Sequence, residues 1–302
     1  MSTKGGVFAI GNFDGIHKGH QAIIKTVVAM AKELSVPAKI LSFTPNTKQY
    51  FNPKIEPFKL INDIQKDKIV KELGIDEIIL LPFTKEIVSM TWKDFVKQVL
   101  IERFSISHLV SGSDFAFGKN REGNLKVISE VFELTSIKIT EISRENNNGE
   151  IYSSTRARKL LLEGYPEKAA DILGRNWAIQ GHIIHGNGIG NSELETRTAN
   201  MLLNDYIRPK LGVYVIKAHR LSEPKEQYYG IANIGKRPTI SGHDVIFEAH
   251  LFDFNQEIYS ENWEFEILHF LRPEAKFANI SELKKQIHLD IMNTRKWLLH
   301  SK

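Results

Sequence analysis

The sequence has no cysteine among its 302 residues. This absence excludes disulfides, thiolate catalysis and zinc sites built on cysteine, and it is compatible with a reducing compartment. Long apolar runs are also missing: no stretch is long enough to span a membrane, and the apolar run near the N-terminus is too short for a signal peptide. We therefore expect a cytoplasmic protein without a membrane partner.

A strong excess of either charge is missing as well. Lys and Arg number 40 and Asp and Glu number 36, which gives a formal net charge of +4. Because the two signs are interspersed and form no tail, this small excess fits small anionic ligands better than a nucleic-acid groove. We expect no nucleic-acid partner, and the sequence leaves the oligomeric state open.

The length predicts two domains, and the hydrophobic pattern changes once along the chain. Up to about residue 175, apolar β-type runs alternate with helical patterns, which is typical of a parallel sheet covered on both faces. From Trp177 onward, consecutive strands separated by turn residues indicate an antiparallel barrel or sandwich, followed by one amphipathic helix. We predict a Rossmann-like α/β domain over residues 1–178 and a small antiparallel β-barrel domain with a C-terminal helix over residues 179–302.

The stretch GNFDGIHKGH, Gly11 to His20, connects the first predicted strand to the first predicted helix. Backbone N–H groups at a helix N-terminus can approach a polyphosphate, and the partial positive charge there favours anions. His17 and His20 lie three positions apart, so both face the same side of the first turn and offer N–H donors. Gly19 between them leaves room for a nucleotide. The pattern predicts a phosphate site, although two surface histidines in a polar turn stay open as an alternative.

This arrangement suits the attack of a phosphate on the α-phosphorus of ATP. That reaction needs in-line positioning and stabilisation of charge, so no protein nucleophile is required. The sequence has no G-x-x-x-x-G-K-[ST] loop, which argues against a Walker-type ATP site. We expect Mg²⁺ as a cofactor because it shields phosphate charge, but no ligand for it can be named in the first half of the chain.

The same stretch resembles the nucleotide-binding signature of the nucleotidylyltransferase superfamily, and further stretches agree with a narrower family. They are SFTPNT at Ser42–Thr47, GSDFAFGKNREG at Gly112–Gly123 and YSSTRARKLLLEG at Tyr152–Gly164. With these four motifs in order, almost the whole chain resembles the bacterial FAD synthetases, a family of bifunctional riboflavin kinase/FMN adenylyltransferases. The resemblance implies transfer of AMP from ATP to FMN, giving FAD and pyrophosphate.

The resemblance also implies a role for each motif of the first domain. His17 and His20 would stabilise the transition state, and Arg156 or Arg158 would stabilise the departing pyrophosphate. Phe115, Phe117 and Asp114 would lie on the flavin side, although such a stretch could also be a packed loop. Residues expected to hold ATP are Gly11, Asn12, Phe13, Asp14, Gly19, Ser154 and Thr155. The SST sequence could alternatively serve only as a helix cap.

The second domain resembles the riboflavin kinase domain of that family. The stretches that carry this resemblance are residues 181–201, 211–214, 233–239, 247–254 and 271–277. Thr198 and Asn200 match the Thr and Asn that hold Mg²⁺ and nucleotide phosphates in the family, so Thr198 is a candidate metal ligand. Glu248 matches the Glu that activates the flavin hydroxyl.

The loop before Thr198 departs from the family pattern. Asn191 stands where the family has Arg, and Glu195, Thr196 and Arg197 replace the apolar Gly-Phe-Pro. Glu193 and Glu195 place negative charge where ATP phosphates should pass. This chemistry favours a domain that keeps the barrel while phosphorylation is weak or absent, and an active kinase with a variant loop stays open.

Other functions remain as alternatives to FMN adenylyltransferase alone. The nearest is the full two-step enzyme, which also converts riboflavin to FMN. A flavin-binding regulatory protein without turnover is a more remote alternative, and the intact GNFDGIHKGH and SSTRAR stretches argue against it. Cytidylyl or pantetheine-type transfer would share the histidine motif but would not explain GSDFAFG or the barrel.

Overall fold

The computed structural model describes residues 5–113, 115–133, 135, 137–143, 146–147, 150–184, 198–239 and 242–300. Its internal contacts divide the chain into two compact units. The first unit contains residues 1–55 and 63–153, and the second contains residues 56–62 and 154–302. The domain boundary that we place between residues 178 and 179 stays a prediction.

The first unit is built around a five-stranded parallel sheet. Its spatial order is β3-β2-β1-β4-β7, so the chain winds from β1 in one direction and returns to continue from β4 in the other. The carboxyl ends of β1 and β4 therefore form the point at which the winding reverses, where sheets of this kind bind ligands. The strands are β1 (Val7–Ile10), β2 (Ala38–Thr44), β3 (Glu77–Pro82), β4 (His108–Gly112) and β7 (Lys138–Ile142).

Helices cover this sheet because their apolar residues recur at helical spacing. Ile24, Val27 and Ala31 are the buried positions of α1, which ends at Ser35 in a left-handed conformation. The helices are α1 (Lys18–Leu34), α2 (Thr47–Phe51), α3 (Asp63–Glu72), α4 (Lys85–Ser89), α5 (Trp92–Asp94) and α6 (Leu125–Phe132), with a π-helix over Phe95–Arg103 and a 3₁₀ turn over Lys119–Arg121. Two short hairpins pair β5 (Ala116–Phe117) with β6 (Gly123–Asn124), and β8 (Asn146–Asn147) with β9 (Glu150–Ile151).

The second unit is a six-stranded antiparallel sheet that curls towards closure. The order is β10-β15-β12-β13-β14-β11, and the two end strands meet where the Ile184 N–H donates to the Asn200 carbonyl at 2.9 Å. The barrel predicted from the turn-separated strands is confirmed. Its strands are β10 (Trp177–His182), β11 (Ala199–Leu202), β12 (Gly212–Arg220), β13 (Tyr228–Thr239), β14 (Gly242–Leu251) and β15 (Asn262–Pro273), and its helices are α7 (Ser154–Glu163), α8 (Pro166–Leu173) and α9 (Ile280–His300).

The C-terminal helix α9 is attached to the barrel by a buried ion pair. Asp290 is only 3% exposed and accepts hydrogen bonds from the Arg272 guanidinium at 2.7 and 2.9 Å, with a further bond from Gln286 at 2.9 Å. The Trp297 ring stacks on His269 with centroids 5.3 Å apart. These contacts place Trp297 against the barrel.

Candidate active site

The turn between β1 and α1, residues 11–17, has an unusual backbone. Gly15 has a positive φ of 79°, which glycine adopts without steric cost, but Phe13 and Ile16 also have positive φ values of 48° and 41°. A left-handed conformation is rare for any residue with a side chain and is an outlier for a β-branched one such as Ile16. Such strain persists only where the surroundings hold the backbone in place. Phe13 and Ile16 are both buried.

Side chains from three helices hold this turn. The Asn12 amide donates to the Thr47 hydroxyl at 2.9 Å, which attaches the turn to the start of α2. The Lys66 ammonium on α3 donates to the Asn12 carbonyl at 3.1 Å. Gln21 on α1 donates to the Ile16 carbonyl at 2.9 Å. We call these three contacts the turn clamp.

The two histidines lie together at the N-terminus of α1. The rings of His17 and His20 stack with centroids 3.7 Å apart and an interplanar angle of 23°, and the Phe13 ring lies 4.9 Å from His20. His17 caps the helix, since its Nδ1 accepts from the His20 backbone N–H at 3.3 Å. An accepting Nδ1 assigns the proton of neutral His17 to Nε2, which makes Nε2 a hydrogen-bond donor.

The position of the His17 ring requires a glycine at position 19. A Cβ at this position would lie 3.2 Å from Cε1 and Nδ1 of the His17 ring and 3.6 Å from the Tyr152 carbonyl oxygen. Contacts of 3.2 Å are tighter than ordinary van der Waals distances, so a side chain would displace the ring. The structure therefore adds a packing reason for this glycine to the room for a nucleotide that the sequence suggested.

The N-terminus of α1 and Lys66 contribute positive charge at this turn, which also contains the buried carboxylate of Asp14. The first turn of α1 contains no acidic residue, and it begins with Lys18. The partial positive charge of the helix terminus is therefore not compensated by a carboxylate of its own first turn. The Lys66 ammonium, bonded to the turn itself, adds a positive charge. Together with the Nε2–H of His17, this arrangement can bind and polarise phosphate oxygens.

The SSTRAR residues begin α7 and belong to the second unit. Arg158 is engaged there: its Nε donates to the Phe58 carbonyl at 2.8 Å, and its guanidinium lies 5.3 Å from the centre of the Phe58 ring. Arg156 and Ser154 are half-buried, and Thr155 is exposed. Joint action of these residues with the two histidines on one ATP stays a prediction.

The residues predicted for the flavin side follow β4. Phe117 is 9% exposed, and its ring lies 5.5 Å from Phe95 in the core and 5.2 Å from the nearly parallel ring of Phe115. Phe115 is half-buried. Phe117 thus supports the ring of Phe115 from the core side, and Phe115 is the better placed of the two to meet a ligand. Asp114 lies outside the described residues.

Sequence reasoning missed an aromatic cluster at the same edge of the sheet, formed by Phe43, Tyr50, Phe51 and Phe83. Tyr50 and Phe51 pack edge-on against Phe83 with centroids 5.1 and 5.9 Å apart, and Phe83 packs in the same way on Phe43. Phe51 is nevertheless 68% exposed. The aromatic pair in KQYF, directly after SFTPNT, was the available signal, but only the fold brings it to the ends of β2 and β3.

The kinase candidates lie in one row of the barrel. Asn200 on β11 is directly opposite Glu248 on β14, and Glu248 is opposite Asn233 on β13, so these side chains share one face of the sheet. The Asn200 amide donates to the Thr198 carbonyl at 3.3 Å, and its contact with the Thr198 hydroxyl is 3.4 Å. A cavity of about 220 Å³ in the same unit is lined in part by Thr198, Ala199 and Tyr259.

The variant loop before Thr198 lies outside the described residues, including Asn191, Glu193 and Glu195. Among the residues that the structure does describe, no cluster of three or more His, Asp or Glu side chains could hold a metal ion. In the same part of the chain, no helix is long and apolar enough to cross a membrane.

Comparison with known proteins assigns both halves of the chain. Residues 1–156 match the model of the FAD synthetase family, and residues 173–298 match the model of the riboflavin kinase family.

Individual relatives resemble the chain over nearly its whole length. A bifunctional riboflavin kinase/FMN adenylyltransferase of Buchnera aphidicola subsp. Schizaphis graminum is 35% identical over 96% of this chain and 93% of its own. The protein of the same name from Haemophilus influenzae is 33% identical over 95% of this chain and 92% of its own. A crystal structure described as a macrolide-efflux protein from Streptococcus pneumoniae matches with a TM-score of 0.87 at 28% identity, covering 98% of this chain and 96% of that one.

Proposed function

The chain belongs to the FAD synthetase family, and from that premise we propose that it transfers AMP from ATP to FMN, giving FAD and pyrophosphate. The observation that carries the proposal is the capped N-terminus of α1. There, two stacked imidazoles and a strained, clamped turn lie beside the end of the central strand β1. This turn has the donors and the positive charge that a polyphosphate requires.

The chemistry is an in-line displacement at phosphorus. An oxygen of the FMN phosphate attacks the α-phosphorus of ATP, the bond from that phosphorus to the bridging oxygen breaks, and pyrophosphate departs with the electron pair. No protein group needs to form a bond, because both reactants are already phosphates. The protein holds the two reactants in line and stabilises the charge that develops on the equatorial oxygens.

The residues of the turn divide this work. The Nε2–H of His17 donates to a phosphate oxygen, and His20, stacked on His17, presents its ring to the same region. Asn12, Phe13 and Asp14 supply the turn whose backbone lies against the triphosphate, with Gly11 and Gly19 at its two ends. The SSTRAR motif assigns the departing pyrophosphate to Arg156 and Arg158, with Ser154 and Thr155 as hydroxyl and N–H donors, and this assignment rests on the motif alone.

The flavin is assigned to the edge of the sheet that carries exposed aromatic rings. Phe115 and the aromatic cluster offer flat apolar surfaces at the carboxyl ends of β4, β2 and β3. An isoalloxazine ring stacks favourably on such surfaces. Phe117 supports the Phe115 ring from the core side, and Asp114 stays a candidate flavin-binding residue on the basis of the motif.

Mg²⁺ is part of the proposal for both reactions. When bound, it shields phosphate charge and orients the nucleotide. In the barrel, the Thr198 hydroxyl, the Asn200 amide oxygen and the Glu248 carboxylate are oxygen ligands of the kind that Mg²⁺ prefers, and they lie in one region. These residues fit the ion, with Thr198 as its protein ligand.

A second activity, phosphorylation of riboflavin by ATP to give FMN, is favoured by that same row. Glu248 accepts the proton of the terminal flavin hydroxyl, whose oxygen attacks the γ-phosphorus, and ADP departs. The match of residues 173–298 to the riboflavin kinase family supports this second activity. This reading differs from the weak or absent phosphorylation that the variant loop favoured.

The partners that follow are the small molecules ATP, FMN and riboflavin. A cytoplasmic location and the lack of a nucleic-acid partner remain part of the proposal.

Two incubations test these functions. The purified protein with ATP, Mg²⁺ and FMN should give FAD and pyrophosphate, measured by chromatography with fluorescence detection of the flavins. The same mixture with riboflavin in place of FMN should give first FMN and then FAD. No FAD from FMN would reject the main proposal, and FAD from FMN without any product from riboflavin would reject only the kinase.

A further inference from the structure

The three contacts of the turn clamp hold a strained backbone, and one of them comes from a residue outside every sequence motif. We propose that Lys66 is a positioning residue for adenylyl transfer: through the Asn12 carbonyl, it fixes the orientation of the Phe13 N–H that faces the phosphates. This inference rests on the proposed function of the same turn. Lys66 lies on α3, outside the four motifs that carried the sequence analysis.

The first step is the contact itself. The Lys66 ammonium donates to the Asn12 carbonyl oxygen at 3.1 Å, across 54 positions of the chain. A hydrogen bond from a charged donor is about twice as strong as one between neutral groups. Lys66 is half-buried, which limits the water that could replace it. The bond therefore joins α3 firmly to the turn.

The second step follows from the geometry of a peptide unit. The Asn12 carbonyl and the Phe13 N–H belong to the same planar peptide unit. This unit is trans, since the cis peptide bond among the described residues is Thr44–Pro45. In a trans unit the C=O and N–H bonds point in opposite directions. Holding the oxygen on Lys66 consequently aims the Phe13 N–H away from α3.

The third step concerns what this N–H binds. Within the part of the chain that the structure describes, the Phe13 N–H donates to no backbone carbonyl, although Phe13 is only 3% exposed. Buried N–H groups in proteins nearly always have an acceptor. A phosphate oxygen of ATP supplies one at this position of the turn.

The fourth step explains why a clamp is needed. Phe13 and Ile16 both occupy the left-handed region, a costly conformation that persists only where the surroundings hold it in place. Without Lys66 the Asn12–Phe13 unit can rotate towards a more relaxed conformation, and the Phe13 N–H then turns away from the phosphates. Thr47 and Gln21 hold the neighbouring units of the turn, so the loss is local and not a collapse of the fold.

The test replaces Lys66 by methionine and compares Lys68→Met, which removes an equal charge from an exposed position of the same helix. We expect Lys66→Met to lower kcat for FAD formation about 10- to 100-fold while KM for FMN changes less than about threefold, because a misaimed donor acts on the transition state. Lys66→Arg, which keeps a charged donor, should recover most of the lost kcat. Lys68→Met should match the wild type.

Hydrogen exchange of the free protein gives a readout that does not depend on turnover. Amides of residues 12–16 should exchange faster in Lys66→Met than in the wild type and in Lys68→Met, while those of β1 and β4 stay unchanged. Equal kcat in Lys66→Met and the wild type would overturn the positioning role. An equal loss of kcat in Lys66→Met and Lys68→Met would also overturn it, because the effect would then come from net charge and not from the contact with Asn12.

The outcomes separate this inference from the function on which it rests. A wild-type protein that forms no FAD from FMN would reject adenylyl transfer itself, whatever the exchange data show. If Lys66→Met does not fold, Lys66→Arg provides the test. Unchanged hydrogen exchange of the amides of residues 12–16, with kcat near the wild-type value, supports the positioning role. A kcat as low as that of a protein lacking the histidines rejects it.

Discussion

His17 performs two tasks at the residue scale, and the two can be separated. Its Nδ1 caps α1, and the proposed mechanism uses its Nε2–H as a donor to the phosphates. Asparagine is a good N-cap residue but has no imidazole, so His17→Asn should keep the helix end and lose the phosphate donor. Alanine removes both functions.

We expect His17→Asn and His17→Ala to lower kcat for FAD formation to a similar extent, about 10²- to 10³-fold, the usual cost of removing one transition-state donor. Only His17→Ala should also destabilise the protein, by about 1 kcal/mol. Steady-state kinetics and thermal unfolding check the two effects. As a control, His288→Asn on the exposed surface of α9 should change neither. Full turnover by His17→Asn would remove His17 from the mechanism.

Gly19 gives a second prediction at the residue scale. Within a helix, alanine is favoured over glycine by about 1 kcal/mol, so Gly19→Ala should leave the melting temperature unchanged or raise it. Its new Cβ would nevertheless lie 3.2 Å from the His17 ring and displace it. We expect kcat to fall by about tenfold or more, because small displacements of a positioned group cost that much. A variant that is both more stable and fully active would contradict the packing role.

At the scale of elements, the attachment of α9 depends on one buried ion pair. Asp290 accepts three hydrogen bonds from Arg272, and its side chain is almost fully buried. Removing one member of a buried pair leaves the other charge without compensation, which costs about 3–5 kcal/mol when both are buried. The Arg272 side chain is 22% exposed, so water reduces that cost.

We therefore expect Asp290→Ala to reduce the free energy of unfolding by about 2–3 kcal/mol, measured by chemical denaturation followed by tryptophan fluorescence. The matched control is Asp253→Ala. Asp253 also pairs with an arginine of α9, Arg295, but both side chains are exposed, and such pairs contribute about 1 kcal/mol or less. Equal effects of the two substitutions would show that burial does not set the strength of this attachment.

The elements also show how far local patterns predict this fold. The order of strand, turn and helix from β1 to α1 was predicted from the sequence, because glycines and helical spacing are local signals. The role of Phe117 could not be predicted in the same way. Its burial depends on Phe95 and Gly123. The spacing of residues in GSDFAFG does not indicate that Phe117 contacts Phe95, which lies in the π-helix.

At the scale of the whole molecule, the two proposed reactions should be separable by substitution. Glu248 lies in the Asn200 row of the barrel, whereas the histidine turn belongs to the first unit. Glu248→Gln keeps the size of the side chain and removes its basicity. We expect the conversion of riboflavin to FMN to fall by about 10²- to 10⁴-fold, the range for loss of a general base, while FAD formation from added FMN stays within about twofold.

Product analysis by chromatography, starting once from riboflavin and once from FMN, checks this separation. Glu223→Gln, at an exposed turn after β12, is the control and should leave both conversions unchanged. A parallel loss of both activities in Glu248→Gln would contradict separate sites. Undiminished phosphorylation would remove Glu248 from the kinase and favour the barrel as a binding domain.

The sequence by itself determined the fold class, the position of the histidine turn and the family. These depend on local composition and spacing: alternating strand and helix patterns, a glycine-rich turn, a helix cap and motifs in a fixed order. Such signals act over a few residues, and a sequence displays them directly.

Only the tertiary structure decided which distant residues meet. Strand order placed the end of β1 beside β4, register placed Glu248 opposite Asn200, and the packing of α3 brought Lys66 to the Asn12 carbonyl. Each contact joins segments that are far apart in the chain, and its energy comes from burial and pairing after folding. The hydrophobic periodicity of the sequence does not specify which segments will be in contact, because one strand or helix pattern is compatible with many neighbours.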